Sequence, residues 1–142
     1  MPLPHIITVH WTEAYHLADV VTQRYARPSA LALSPVPWRR LPIIGLAKLS
    51  ATEEEKDGTR THTTTLTATL CLTAFEPTRP LRPMAYKLTA ADGTEWLLGT
   101  CEPPFPLTTF TTTISAKPGG EQAVQLEARL TGPLPLLRYR TY

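Results

Sequence analysis

The residues most able to do chemistry in this sequence are four histidines and two cysteines, and their spacing favours no reaction. His10 and His16 stand on either side of Glu13, but this spacing matches no standard zinc-ligand pattern. Cys71 and Cys101 form no CxxC motif and have no histidine beside them, so nothing marks either as a nucleophile. We interpret all of these as ordinary surface or partly buried side chains. Two reduced thiols are the default, and a single disulfide is the alternative.

No catalytic signature occurs elsewhere in the chain. The sequence contains no GxSxG, P-loop, GxGxxG or HExxH motif. The acidic run from Glu53 to Glu55 has no second acidic cluster near it in sequence that would complete a cation cage. We therefore expect no enzyme activity, no catalytic residue, no metal site and no cofactor.

Two short stretches carry residue types that favour contacts with other proteins. A tryptophan followed by two arginines begins at Trp38, and these residue types dominate the energetics of interfaces. The other interpretation of Trp38 is a loop residue that covers the core. The proline-rich segment after residue 99 is stiff and extended, and is either a rigid connector or a docking strip. The candidate interaction residues are Trp38, Arg39, Arg40, Pro103, Pro104 and Phe105.

Length, charge and hydropathy narrow the class of protein. The chain of 142 residues is long enough for a core, and we predict a single domain over residues 1–142. A formal net charge of +2 gives no case for a nucleic-acid partner. The first residues lack a basic segment followed by a long apolar run. We therefore expect no signal peptide, no transmembrane helix and no membrane partner.

The strongest structural signal is a β-hairpin over residues 84–98. Asp92-Gly93 separates two apolar-rich runs, which is typical of a hairpin turn. A two-residue turn would pair Leu88 with Leu97, whereas a three-residue loop with a left-handed glycine pairs Leu88 with Trp96. We predict the three-residue loop. It places one set of side chains on one face (Met84, Tyr86, Leu88, Trp96 and Leu98) and a polar set on the other (Lys87, Thr89 and Glu95).

Alternating residue types predict further strands around this hairpin. Residues 61–75 alternate threonine with apolar residues, which predicts a long strand with one buried and one wet face. The Asp57-Gly58 turn would pair this strand with residues 43–52, and we expect the polar residues 53–58 to form an exposed turn or loop. The remaining predicted strands are residues 3–11, 29–34, 109–116, 124–130 and 134–142. In the first of these, alternation places Leu3, His5, Ile7, Val9 and Trp11 on one strongly apolar face.

One helix is predicted between Thr12 and Arg27. Apolar residues recur there at helical spacing, Thr12 is a suitable cap, and Pro28 would end the element. The β-branched residues at 20–22 disfavour this helix. The pattern as a whole predicts a mainly β fold, an antiparallel β-sandwich or a partly open barrel with one short N-terminal helix.

The carboxy-terminal half resembles a group of phage proteins. A threonine-rich strand is followed by the segments Met84–Thr89 and Asp92–Thr100, and then by the acid-Pro-Pro-aromatic-Pro run Glu102–Pro106. Over residues 61–140 this order is similar to that of small β-rich structural proteins of phages and prophages of gut Bacteroidales. The resemblance implies a virion-associated protein of the tail or the head–tail neck, found in the cytoplasm or, after assembly, in the virion. It brings no catalytic residues with it.

Two functions therefore compete. The first is a non-enzymatic structural subunit that acts as a homo-oligomer or docks to other virion or prophage proteins, with open strand edges as natural joining points. The alternative is a binding module that holds a small ligand in the mouth of a sandwich or barrel. Its candidate lining residues are Trp11, Trp38, Trp96 and Tyr86.

Overall fold

Two β-sheets form the structure, a computed structural model that describes residues 5–23, 29–71, 83–114 and 122–141. Its strands are β1 (Ile6–Glu13), β2 (Val20–Gln23), β3 (Ser29–Ala32), β4 (Arg39–Arg40), β5 (Lys48–Lys56), β6 (Thr59–Cys71), β7 (Met84–Ala90), β8 (Glu95–Leu98), β9 (Leu107–Ile114), β10 (Gln122–Gly132) and β11 (Leu137–Thr141). The larger sheet has the order β2-β3-β11-β8-β7-β1-β4, and the smaller has the order β5-β6-β10-β9. The mainly β prediction is confirmed, with two sheets and no closed barrel. The predicted antiparallel pairing holds for the described strand pairs except β11 with β3, which is parallel.

The main core lies between the two sheets. Alternate residues of β6, β7 and β10 are buried and pack against one another, as the two-residue period of a strand requires. Each fully buried leucine contributes about 1.5–3 kcal/mol relative to an exposed one. The hydroxyl of Tyr86 on β7 is hydrogen-bonded to the hydroxyl of Thr108 on β9 at 2.6 Å, which links the two sheets across the core. The largest fully buried members include Tyr86, Leu66, Leu70, Leu88, Leu98, Val124 and Leu126.

The central hairpin has the predicted register. β7 pairs with β8 so that Leu88 faces Trp96. Gly93 has a φ of +88°, while Asp92 does not adopt a positive φ. The Asp92 carboxylate accepts a hydrogen bond from the backbone N–H of Thr94 at 2.9 Å, which lowers the pKa of Asp92 and fixes the loop. The three-residue loop is therefore confirmed, and the apolar face forms as predicted. The other face is not only polar, because Ala85 and Leu97 on it are buried in a second apolar cluster.

The first strand departs from the predicted alternation at one point. The pairing of β1 with β7 is irregular between Ile6 and Thr8. Ile6 and Val9 are fully buried, but Ile7 is 42% exposed, although alternation placed Ile7 on the apolar face. A β-bulge adds one residue and shifts the following side chains to the other face. Spacing alone therefore gave the wrong face for Ile7.

The predicted N-terminal helix is wrong. Residues Ala14–Leu17 form a single 3-10 turn, and a strand begins at Val20. Val20, Val21 and Thr22 pair with β3, because β-branched side chains fit a pleated sheet better than a helix. Residues 24–28, which would have completed the helix, lie outside the described residues.

The acidic run belongs to a strand rather than to a loop. β5 continues to Lys56, so Glu53–Glu55 pair with the start of β6. The turn is only Asp57-Gly58, with φ of +53° and +79°, which are the left-handed values of a type I′ turn. The predicted hairpin is thus confirmed, but its first strand begins at Lys48 rather than at residue 43, and the predicted loop over residues 53–58 is too long. Three glutamates are tolerated in the strand because all of their side chains are exposed.

This hairpin extends beyond the smaller sheet. β10 pairs with β6 only as far as His62, and His62 is also the partner of Glu53 in β5. Residues beyond this row therefore form a ribbon of two strands, and residues 53–60 are all exposed. We refer to Glu53–Thr61 as the acidic arm.

The other predicted strands of the smaller sheet are confirmed where the structure describes them. β6 pairs with β5 on one side and with β10 on the other, and β10 pairs with β9 as the third hairpin. Leu66, Ala68 and Leu70 are buried, while the threonines between them are partly exposed. Residues 72–75 of the predicted strand and the predicted turn at 117–120 lie outside the described residues.

The proline-rich exit from the hairpin packs closely on two glycines. A Cβ on Gly99, whose φ is +102°, would lie 2.9 Å from the ring of Pro106. A Cβ on Gly132 would lie 2.8 Å from the ring of Pro104. Only glycine permits these approaches, so the exit segment is fixed against the ends of β8 and β10.

Candidate docking site at the edge of the larger sheet

A row of basic side chains crosses one face of the larger sheet next to its β4 edge. The register places His10 of β1 opposite Arg40 of β4 on one side and opposite Lys87 of β7 on the other. Residues directly opposite each other on antiparallel strands share a face, with Cβ atoms about 4.5–5.5 Å apart. Three basic side chains therefore stand side by side on the face that is turned away from the smaller sheet. Like charges in this arrangement are destabilising.

Within the row, the positive charge of Lys87 is the one balanced by the contacts of its own side chain. Its Nζ lies 3.3 Å from Oε2 of Glu95. The same atom lies 5.6 Å from the ring centroid of Trp38 and 5.8 Å from that of Tyr139, within the range of cation–π attraction. Only 18% of the Lys87 side chain is exposed. Lys87 is thus held within the protein. We refer to Lys87, Glu95, Trp38 and Tyr139 as the platform beneath the edge.

Within this platform, Trp38 packs against Tyr139. Its indole Nε1 donates a hydrogen bond to the hydroxyl of Tyr139 at 3.3 Å, and the two rings meet edge to face with centroids 5.7 Å apart. Burial raises the pKa of Tyr139, and the hydrogen bond from Trp38 opposes that rise. Trp38 also packs against a second apolar cluster that contains Leu97 and Leu137. Trp38 therefore lies half-buried over packed side chains, with part of its ring at the surface.

Arg40 is the charged member of the row without an anion, because the lowered pKa of His10 leaves its imidazole uncharged at neutral pH. Burial, followed by the charges of Lys87 and Arg40, lowers the pKa of His10, while Glu95 acts in the opposite direction. Nδ1 of His10 is buried and has no hydrogen-bond partner among the described residues. Arg40 is exposed and makes no ion pair within the part of the chain that the structure describes. The edge therefore carries positive charge that nothing described in the fold neutralises.

Arg39 carries the same charge to the opposite face of the edge. It is the register partner of Trp11, and its guanidinium lies 5.4 Å from the centroid of the Trp11 ring. The backbone N–H of Leu41 donates to the carbonyl of Val9 at 2.8 Å. Because the N–H groups of successive strand residues point to alternate sides, the N–H of Arg40 points away from β1. Among the described strands, β4 is the last of its sheet, so the outward backbone groups of Arg40 can take part in a contact with another chain.

The predicted residues of the exit segment lie at a different place. Pro103 and Pro104 border a cavity of about 340 Å³ beside the ends of β8 and β10. Most of its walls are leucine and proline side chains, and Glu102 is the one acidic residue in the described lining. Phe105 is partly buried and is not among the described lining residues. The six predicted interaction residues are therefore not brought together. Trp38, Arg39 and Arg40 belong to the candidate docking site, together with His10, Lys87 and Tyr139, whereas the proline pair borders the cavity.

The aromatic residues predicted to line a ligand pocket do not line this cavity within the described part of the chain. Tyr86 is fully buried between the sheets, and Trp11 and Trp96 pack against the same core. Trp38 covers the second cluster. The lining prediction is wrong because the strand register directs these side chains onto packed clusters.

Three residues of the docking site were missed by sequence reasoning. His10, Lys87 and Tyr139 are far apart in the chain and meet only through the pairing of β1 with β7, β7 with β8 and β8 with β11. The one available signal was the predicted polar face of the central hairpin, which already grouped Lys87 with Glu95. Nothing local connected that face to Trp38 or His10.

Other reactive side chains form no comparable site. Cys71 and Cys101 are both partly buried, and no disulfide joins them. Within residues 5–23, 29–71, 83–114 and 122–141, no group of three or more His, Cys, Asp or Glu side chains is arranged to hold a metal ion. In these same segments, no helix has the length and apolar character needed to cross a membrane.

No protein-family model, no curated protein and no solved structure matches this chain. The functional argument therefore depends on the fold, on the candidate docking site and on the sequence pattern of residues 61–140.

Proposed function

We propose that the protein is a non-enzymatic structural subunit that works by docking to protein chains, first of all to copies of itself. The observation that supports this most directly is the open β4 edge, where Arg39 and Arg40 stand on opposite faces of one strand. Charged groups at an interface steer association and select partners of opposite charge. A short edge strand also offers backbone hydrogen bonds to an added strand.

The platform beneath the edge supports docking as well. Lys87 is held by Glu95 and by the rings of Trp38 and Tyr139, so these side chains are ordered before any partner arrives. A preorganised surface loses less conformational entropy on binding than a mobile one. Trp38 and the two arginines next to it are also the residue types that most often dominate interface energetics.

The setting we propose is a phage or prophage virion, in the tail or the head–tail neck. This part of the proposal depends on the resemblance of residues 61–140 to small structural proteins of such phages. The architecture is compatible with it, because rings and tubes are built from subunits that offer two different surfaces to their neighbours.

Static light scattering over a concentration series tests the proposal. We expect the weight-average molar mass to rise above the 15.7 kDa of a single chain as the concentration is raised from the micromolar to the millimolar range. The rise should be smaller at high salt, because salt screens exposed charges. A mass that stays at that of one chain over the whole range contradicts the proposal.

A second candidate function is the binding of a small apolar ligand, and the cavity of about 340 Å³ favours it. This volume lies within the range of small-molecule sites, and the mainly leucine and proline walls suit an apolar body. Fluorescence of 1-anilinonaphthalene-8-sulfonate tests it. We expect enhancement with the natural chain and its loss in Leu134→Trp, which places a larger side chain at the cavity wall. No enhancement, or equal enhancement in the variant, contradicts ligand binding at this cavity.

A further inference from the structure

The charge pattern of the molecule identifies a partner for the β4 edge. We infer that this partner is the acidic arm, Glu53–Thr61, of a second copy of the chain, so that subunits join head to tail. The inference rests on the proposed function, because it names the occupant of the docking site. It goes further in assigning a role to the arm, which the docking site does not contain.

The acidic arm carries a net negative charge. Residues 53–60 carry four carboxylates against Lys56 and Arg60, a net charge of −2. Glu53 is paired with Arg60 at 3.5 Å, but both side chains are at least half exposed, so the pair contributes little. Among the described residues, Glu54 and Glu55 form no ion pair. The arm is thus an exposed anionic ribbon, as the β4 edge is an exposed cationic strand.

The two edges also match in the arrangement of their faces. Along β5, Glu54 lies on one face and Glu53 and Glu55 lie on the other, because side chains alternate in a strand. At β4, Arg40 lies on the face of His10 and Arg39 lies on the face of Trp11. An arm strand laid beside β4 therefore presents carboxylates to both arginines at once. A carboxylate on the Arg40 side would also lie near the buried, unpartnered Nδ1 of His10.

Electrostatic repulsion excludes the symmetric alternatives. Two β4 edges placed together would bring arginines against arginines, and two β5 edges would bring glutamates against glutamates. Charged side chains on edge strands commonly prevent such pairing of like edges. Of these three pairings, only that of one β5 edge with one β4 edge joins opposite charges.

The contact must join different molecules. β5 is the last strand of the smaller sheet and β4 is the last strand of the larger one. Within the described chain, no glutamate of the arm forms an ion pair with Arg39 or Arg40. A contact between two different surfaces repeats from subunit to subunit and produces a ring if it closes and a filament if it does not.

Charge reversal at the two surfaces tests the inference. The arm-reversed chain carries Glu53→Lys, Glu54→Lys and Glu55→Lys, and the edge-reversed chain carries Arg39→Glu and Arg40→Glu. We expect each chain alone to self-associate at least about tenfold more weakly than the natural chain by light scattering. An equimolar mixture should recover association, because each arm then meets an edge of opposite charge. A chain with both sets of substitutions should also recover it.

The controls separate a failed contact from a failed fold. Arg138→Glu with Arg140→Glu makes the same charge change at exposed positions of the interior strand β11, and should leave association unchanged. Glu53→Gln, Glu54→Gln and Glu55→Gln remove the charge without adding repulsion and should weaken association. This variant is the test if the Lys variant does not fold. If the natural chain associates but the reversals do not weaken it, or folded reversed chains do not recover on mixing, this inference is overturned while the proposed function stands. If the natural chain never associates, both are overturned.

Discussion

The two faces of the seven-stranded sheet are built for different purposes. On the face toward the smaller sheet, β7 and β8 present buried apolar side chains that meet those of β6 and β10. On the opposite face, the same strands present Lys87 and Glu95, which continue into His10 and Arg40 toward the β4 edge. The first face leaves little for a partner to bind, whereas the second carries uncompensated charge. The first face is wholly apolar, whereas on the second a smaller buried cluster that includes Leu97 and Leu137 lies beside the charged row. We assign docking to that charged row.

The largest expected effect is on the face between the sheets. Leu88→Ala removes a fully buried side chain of β7 and should lower the free energy of unfolding by about 2–5 kcal/mol. Thr89→Ala, one position along on the other face, is the matched control and should cost well under half as much. Urea unfolding monitored by circular dichroism measures both. Equal losses would show that the two faces do not differ in this way.

Tyr86 gives a second test of the same face. Burial raises the pKa of Tyr86 to about 12, against 10.0 for an ordinary tyrosine. A folded pKa above the unfolded value stabilises the fold below pH 10, and this contribution is lost as the pH rises from 10 toward 12. We expect alkaline unfolding in that range to be less steep in Tyr86→Phe. That variant should also lose about 0.5–1.5 kcal/mol at pH 7, since its hydrogen bond to Thr108 is removed.

On the opposite face, the platform should contribute less. A double-mutant cycle with Trp38→Leu and Tyr139→Leu measures the coupling of the edge-to-face pair. We expect about 0.5–1.5 kcal/mol, since the rings contact each other and share a hydrogen bond. A coupling near zero would mean that Trp38 is held by the apolar cluster alone.

The smallest effect on stability is expected at His10 and depends on pH. Burial and the nearby charges of Lys87 and Arg40 lower the pKa of His10, with Glu95 in opposition. A lowered pKa in the folded state gives stability that is present above the unfolded value near 6.5 and is lost as the pH falls through the folded value. Urea midpoints measured between pH 7.5 and 5 should therefore fall less in His10→Gln than in the natural chain. A steeper fall in the variant would contradict this sign.

Sequence patterns predicted the sheets better than the docking site. The Asp92-Gly93 turn correctly predicted the β7–β8 hairpin, and the alternation of threonine with apolar residues correctly predicted strand β6. Both predictions succeed because turn chemistry and side-chain alternation are local properties of the chain. The helix over residues 12–27 failed because helical spacing of apolar residues did not outweigh β-branched residues that pair with β3. The bulge at Ile6 and Thr8 left no mark in the sequence.

The docking site was predicted only in part for a different reason. Trp38, Arg39 and Arg40 are adjacent in the chain, so their residue types alone identified them as candidates. His10, Lys87 and Tyr139 join them through the order of strands in a sheet, which local patterns do not determine. The acidic run was interpreted as a loop because charge was given more weight than its continuity with a strand.

The most direct test of the division between the core and the β4 edge is one variant whose stability and molar mass are both measured. Arg39→Glu with Arg40→Glu changes exposed side chains at the edge and leaves the core between the sheets untouched. We expect its free energy of unfolding to stay within about 1 kcal/mol of the natural value, since the contact of Arg39 with the Trp11 ring is the main one lost. Its molar mass by light scattering should remain near 15.7 kDa at concentrations where the natural chain associates. Association equal to that of the natural chain, with the fold intact, would contradict the assignment of docking to this edge.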